Sequence, residues 1–194
     1  MTIQQQTQIQ TFLLHQFGPD LGHSLFTRQE QILRALIKTA EHRSKSQRKT
    51  LVQTILPRIA LYQAMGAGGL AQEDALARMR IYMLQIVGAE KHAATARMER
   101  VPGFYFLYRR IFLHIMRTSD LWESTQHCGK DCFAVDIHRC LWHTACVEQG
   151  CPELCPLFCE VDNVTYGGLH KLGFARTKTL GCGGDCCDFR FFKK

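Results

Sequence analysis

The sequence predicts an α+β protein: a helical N-terminal half followed by an antiparallel sheet packed with helices. Two observations carry this reading. The first 127 residues contain no cysteine and repeat apolar side chains at helical spacing, whereas all ten cysteines fall between Cys128 and Cys187. In that second stretch, strand-like alternation gives way to two short helical segments and then returns, the order expected when helices pack on an antiparallel sheet. The chain thus divides into a helical portion, residues 1–119, and a cysteine-rich α+β portion, residues 120–194. The latter carries the site, and the two are expected to form one compact unit.

Each element follows from local signals. Thr27-Arg28-Gln29-Glu30 reads as a capping box ahead of a helix with Ile32, Leu33, Leu36 and Ile37 on one face. A basic turn over 43–49 precedes a helix carrying Leu51, Val52, Ile55, Ile59 and Tyr62, which Pro57 should kink or restart. Gly66-Ala67-Gly68-Gly69 stops it. A longer helix follows with Leu76, Met79, Met83, Ile86 and Val87 as its stripe, and Pro102-Gly103 breaks the chain before an aromatic-rich helix through Phe104, Tyr108, Ile111, Phe112 and Ile115. Residues 121–125 and 132–137 read as strands joined by a turn around Gly129-Lys130-Asp131. Helices are expected over 141–148 and about 157–169, then strands over 174–180 and 187–192 around a glycine-rich turn.

Composition narrows the function classes. At 46% hydrophobic and 21% charged residues, the chain can bury an ordinary core. No apolar run reaches the ~20 residues of a membrane span. Met1-Thr2-Ile3 and the Gln-rich stretch to Gln10 show neither the basic nor the apolar part of a secretory signal, so a cytoplasmic, thiol-reducing setting is expected. The net charge is +7. Its basic run between Thr27 and Thr50 has no helix-turn-helix, finger or aromatic platform beside it, so it argues for no nucleic-acid partner. It suits a small anionic substrate. A homo-oligomer stays open.

Three segments can carry chemistry. In Cys151-Pro-Glu-Leu-Cys155-Pro-Leu-Phe-Cys159-Glu-Val-Asp162, Pro156 predicts a helix start with Cys155 as its cap. Cys159 then sits at the end of the first turn, where the helix dipole lowers a thiol pKa, and Asp162 shares its face. A plainer reading makes Cys159 a buried small hydrophobe and Asp162 a surface carboxylate. Cys140 and His143, in Arg139-Cys140-Leu141-Trp142-His143, stand where a strand hands over to a helix, although a histidine beside a tryptophan also suits simple packing. In the tail, alternation places Arg176, Lys178 and Leu180 on one sheet face and Thr177 and Thr179 on the other. An arginine on a rigid strand is suited to hold a substrate carboxylate through two parallel hydrogen bonds, the role expected of Arg176, although a plain hairpin with a solvent-facing arginine fits the same pattern. Cys187 and Asp188 form a second thiol–carboxylate candidate, but neighbours on a strand point to opposite faces.

Metal binding is the rival use of the cysteines. The pairs Cys128/Cys132, Cys151/Cys155, Cys155/Cys159 and Cys182/Cys186 have three-residue gaps, unlike the two-residue gaps common in structural zinc sites. No cofactor is expected, with zinc or another metal in the cysteine cluster as the alternative.

The ordered set Arg139-Cys140, Phe158-Cys159-Glu160-Val161-Asp162, Phe174-Ala175-Arg176-Thr177-Lys178-Thr179-Leu180 and Gly183-Gly184-Asp185-Cys186-Cys187-Asp188-Phe189-Arg190-Phe191 resembles the L-2-amino-thiazoline-4-carboxylic acid hydrolase family over roughly residues 120–192. The resemblance implies that water opens a cyclic, amidine-like substrate, as when a 2-aminothiazoline carboxylate becomes a carbamoyl-cysteine. Cys151, Cys155, Cys182 and Cys186 lie outside that pattern. With it, the expected catalytic residues are Cys159 and Asp162 first, then Cys187 and Asp188. The expected substrate-binding residues are Arg176, Thr179, Cys140 and His143. A ring-forming or transfer reaction at the same site, a small-molecule sensor and a metal-binding module remain alternatives.

Overall fold

A computed structural model describes residues 3–194; Met1 and Thr2, part of the Gln-rich segment read above, lie outside the described residues. The order is α1 (Ile3–Thr39), α2 (Lys45–Thr50), α3 (Leu56–Ala67), α4 (Gln72–Arg80), α5 (Ala89–Met98), α6 (Phe104–Thr118), β1 (Trp122–Cys128), β2 (Cys132–Cys140), α7 (Leu141–Glu148), α8 (Cys155–Tyr166), β3 (Leu172–Ala175) and β4 (Cys187–Lys193). The fold is α+β. The strands form one antiparallel sheet in the order β1-β2-β4-β3.

Local chemistry sets most boundaries. Pro57 restarts a helix, standing in the first turn of α3 after a π-helical segment, Leu51–Ile55. A second π-helical segment, Ile81–Gly88, joins α4 to α5. Gly103 is left-handed (φ 68°) and caps α6. The expected capping box at Thr27 is not a helix start. Thr27 lies inside α1, whose break is instead at Gly18 (φ 76°, ψ 175°) followed by Pro19. Four correctly spaced residues cannot cap a helix that already runs through them. The stripe read for α6 also shifts: Ile111 and Ile115 are each 46% exposed, while Tyr105, Leu113 and Met116 are buried.

The strand expected over 174–180 ends at Ala175. Asp188 draws the chain out of the sheet, its carboxylate accepting from the Thr177 and Lys178 amides at 2.9 and 2.8 Å and from the Thr177 hydroxyl at 2.6 Å. The face assignments for 176–180 therefore fail, because there is no pleat to alternate. The helix expected over about 157–169 runs instead from Cys155, with Leu154 as its cap, to Tyr166.

Two hydrophobic clusters cut across the 1–119 and 120–194 portions. One joins α1, α3 and the Ile81–Gly88 segment to α7 and α8 of the cysteine-rich portion. The other joins α6 of the helical portion to the sheet, with Phe133, Val135, Ile137, Cys187, Phe189 and Phe191 facing inward. Helix α8 packs on the Ile81–Gly88 segment and on α5, and its Glu160 pairs with Arg80 of α4. No helix among the described residues is long and apolar enough to cross a membrane.

Candidate active site

Where the two clusters meet, a cavity of about 290 Å³ opens among α3, α5, α6, α8 and the sheet. Its lining includes Trp122 and Trp142, stacked at 5.4 Å with an 8° interplanar angle. Phe112, Phe158 and Phe189 line its apolar wall, and Tyr166 adds a phenol bonded to Tyr108 at 2.8 Å. Its polar side chains include Cys140, His143, Cys159, Asp162 and Arg176, brought together from β2, α7, α8 and the loop after β3.

Cys159 and Asp162 lie one turn apart on α8, and both face this space. Arg176 reaches across to them. Its guanidinium donates to the Cys159 carbonyl at 2.9 Å, to Asp162 at 3.2 Å and to Asn163 at 3.3 Å. It also lies 5.8 and 5.4 Å from the ring centroids of Phe174 and Phe189. Its side chain is only 5% exposed, against 30% for Asp162.

The surroundings of Cys159 favour a thiolate. Its pKa is lowered by thiol hydrogen bonds from Cys155 and Cys187, against the opposing effect of burial, and further by the Thr179 hydroxyl and the Arg176 charge. Cys187 moves the other way, raised by the bond it gives Cys159 and by burial. Cys155 is also raised: Cys146 lowers it, but its bond to Cys159 and burial outweigh that effect. Several neutral donors thus point at one acceptor, a network that concentrates negative charge on Cys159. Gly181 lets the turn approach it, since a Cβ there would lie 2.9 Å from the Cys155 sulfur and 3.2 Å from that of Cys159.

Asp162 has its pKa raised to about 6, mainly by burial and also by Cys159, with Lys91 and Arg176 opposing. A thiolate beside a carboxyl group that titrates near neutrality is a nucleophile with a proton carrier. Cys140 is pushed up to about 11 by burial, with the amides of His143 and Trp142 partly opposing.

The remaining expected residues separate by role. Cys187 faces the cavity, whereas Asp188, on the opposite face of β4, holds the 177–178 backbone. Thr179 is buried, accepts from the Cys182 amide at 3.1 Å and supports the Cys159 sulfur without lining the cavity. Cys140 and His143 line it. All ten cysteines are free thiols. Among the described residues no group of three or more His, Cys, Asp or Glu side chains is placed to hold a metal ion.

A family model described as L-2-amino-thiazoline-4-carboxylic acid hydrolase matches residues 47–191. The chain belongs to this family. The match takes in α3 to α6 as well as the cysteine-rich portion, so membership extends to the helices where the motif resemblance was silent. No functionally curated protein matches the sequence. Among solved structures the chain is similar to the "Crystal structure of Fe(II) unliganded H-NOX protein from K. algicida" at 11% identity, covering 97% of this chain and 94% of that one, with a TM-score of 0.34.

Sequence reasoning missed two cations that line the family member's cavity, Arg58 of α3 and Lys91 of α5. For Arg58 a signal existed, a lone charge inside the apolar run Leu56 to Met65; nothing distinguishes Lys91 from a surface lysine. The thiol network makes its own prediction. Brief iodoacetamide treatment of the native protein at pH 6 should label Cys159 at least tenfold faster than the exposed Cys128, Cys132 and Cys182. Peptide mass spectrometry reads the order, and uniform labelling would mean that Cys159 is an ordinary thiol.

Proposed function

We propose that this protein is a hydrolase that opens the ring of a 2-aminothiazoline-carboxylate-type substrate by covalent catalysis at Cys159. The observation that carries this reading is the placement of the Cys159 thiol and the Asp162 carboxyl one helical turn apart on the same cavity wall, in a chain of the 2-aminothiazoline hydrolase family; the thiol donors around Cys159, which lower its pKa, support it. The ring carbon between nitrogen and sulfur is electrophilic when the amidine is protonated. The Cys159 thiolate adds to it, the carbon–sulfur ring bond breaks, and protonated Asp162 gives its proton to the leaving sulfur. Water then adds to the same carbon with Asp162 as base. Collapse expels the Cys159 thiolate and leaves a carbamoyl-cysteine, so substrate plus one water equals product. Arg176 holds the carbonyl of Cys159 and the carboxyl of Asp162 in register during both steps.

The test is turnover of 2-aminothiazoline-4-carboxylate, followed by release of a free thiol and by mass spectrometry of the product. Because Asp162 acts first as an acid, kcat/KM should be level below about pH 6 and fall about tenfold per unit above it. Asp162→Asn should remove that inflection. Absence of any thiol release by the wild-type protein overturns the proposal.

A further inference from the structure

A carboxylate-bearing substrate needs a cation in the cavity, and Arg176 is already committed to Cys159, Asp162 and Asn163. Two other cations line the same space. Arg58 is only 8% exposed, and among the described residues its Nε has no hydrogen-bond partner and its guanidinium forms no ion pair. Its NH1 donates to the Thr54 carbonyl, and the Gln5 amide, oriented to satisfy both of its ends, accepts from the same nitrogen at 3.2 Å. Lys91 stands on the neighbouring wall with part of its surface open to solvent; it forms no ion pair among the described residues, although its charge acts on Asp162 across the cavity.

A guanidinium held out of water with no counter-charge is costly unless an anion completes it. Burial lowers the Arg58 pKa against the opposing fields of Tyr82 and Glu90, which fits a cation short of negative charge. Glu90 is bonded to Gln8 and does not pair with it. Both cations also stand within one turn after a π-helical segment, Arg58 after Leu51–Ile55 and Lys91 after Ile81–Gly88. Such segments cluster at functional sites because they re-aim the side chains that follow. Thr54, Met83 and Val87 from the same two segments line the cavity.

We infer that Arg58 and Lys91 form an anion site that takes the carboxylate of a small heterocyclic monocarboxylate whose ring faces Cys159. The identity of the ring rests on the hydrolase reading; the anion site does not. Calorimetric titration of the full chain with thiazole-4-carboxylate, whose aromatic ring does not open, and with unsubstituted thiazole separates the two. The wild-type protein should bind the carboxylate at least tenfold more tightly than thiazole. Arg58→Gln and Lys91→Met should each cut that preference by roughly 10- to 100-fold, the range for a lost charged hydrogen bond. Arg176→Lys should leave it in place. If Arg58→Gln does not fold, Lys91→Met decides, since that side chain is open to solvent. A preference unchanged in Lys91→Met, absent in the wild-type protein or lost only in Arg176→Lys overturns the anion site. Carboxylate preference without turnover of the aminothiazoline overturns the hydrolase reading alone, and turnover with an unchanged preference overturns the anion site alone.

Discussion

Cys159→Ser should lower kcat for ring opening by at least about a thousandfold with KM little changed, because a hydroxyl in that network is not ionised near neutral pH. Asp162→Asn should cost about a hundredfold or more, the usual contribution of a positioned acid–base group. Both substitutions are nearly isosteric, so circular dichroism and thermal melting should stay close to the wild-type values. The double variant is the decisive measurement. Thiolate attack and proton delivery belong to one step in the proposed mechanism, so the second substitution should add little to the first. Independent, multiplying losses would assign the two groups to separate steps. A fully active Cys159→Ser protein would exclude thiolate catalysis there and transfer the search to Cys187 or Cys140, two of the three other thiols on the cavity wall, the third being Cys155.

Asp188→Asn should destabilise the protein by about 2–3 kcal/mol and depress activity with it, although Asp188 does not line the cavity. The carboxylate is 6% exposed and accepts three hydrogen bonds from Thr177 and Lys178. An amide can accept at most the two backbone bonds, its NH2 replaces the acceptor of the Thr177 hydroxyl, and the charge that strengthens all three is lost. The segment released is the one that places Arg176 and Thr179 beside Cys159. Asp188 also stands opposite Asp136 across the β2–β4 pair, a like-charge contact offset by Arg190 on Asp136 at 2.6 Å. Burial would raise the pKa of Asp188, but the bonds from Thr177 and Lys178 win and hold it below the ordinary carboxylate value. A depressed folded-state pKa contributes stability that is complete above the unfolded value of about 3.9 and is lost as pH falls through the folded one. The stability gap between wild type and Asp188→Asn should therefore be constant at neutral pH and narrow below about pH 4. Urea titrations at several pH values measure it. A gap that instead widened in acid would contradict the assignment.

The sequence by itself determined the backbone wherever the controlling interaction is local. Pro57, the 66–69 glycine run and Pro102-Gly103 mark where helices restart or stop, and α7 spans Leu141–Glu148 as its pattern predicts. The one-turn spacing of Cys159 and Asp162 on a helix likewise required only the Pro156 start signal and helical periodicity. Tertiary structure decided everything that depends on a distant partner. Thr27 is a miss of another kind, because the break in α1 is set by the local signal Gly18-Pro19 and not by a distant partner. Residues 176–179 leave the sheet, because Asp188, ten or so residues on, offers their amides a buried carboxylate in place of a strand. Arg176 turns inward onto α8, and Arg58 and Lys91 arrive at the cavity from helices far away in the chain. Periodicity states which face of an element is apolar, but not which other element will cover it. The identity of that neighbour sets the burial, the hydrogen-bond donors and the charges that make Cys159 differ from the other nine cysteines.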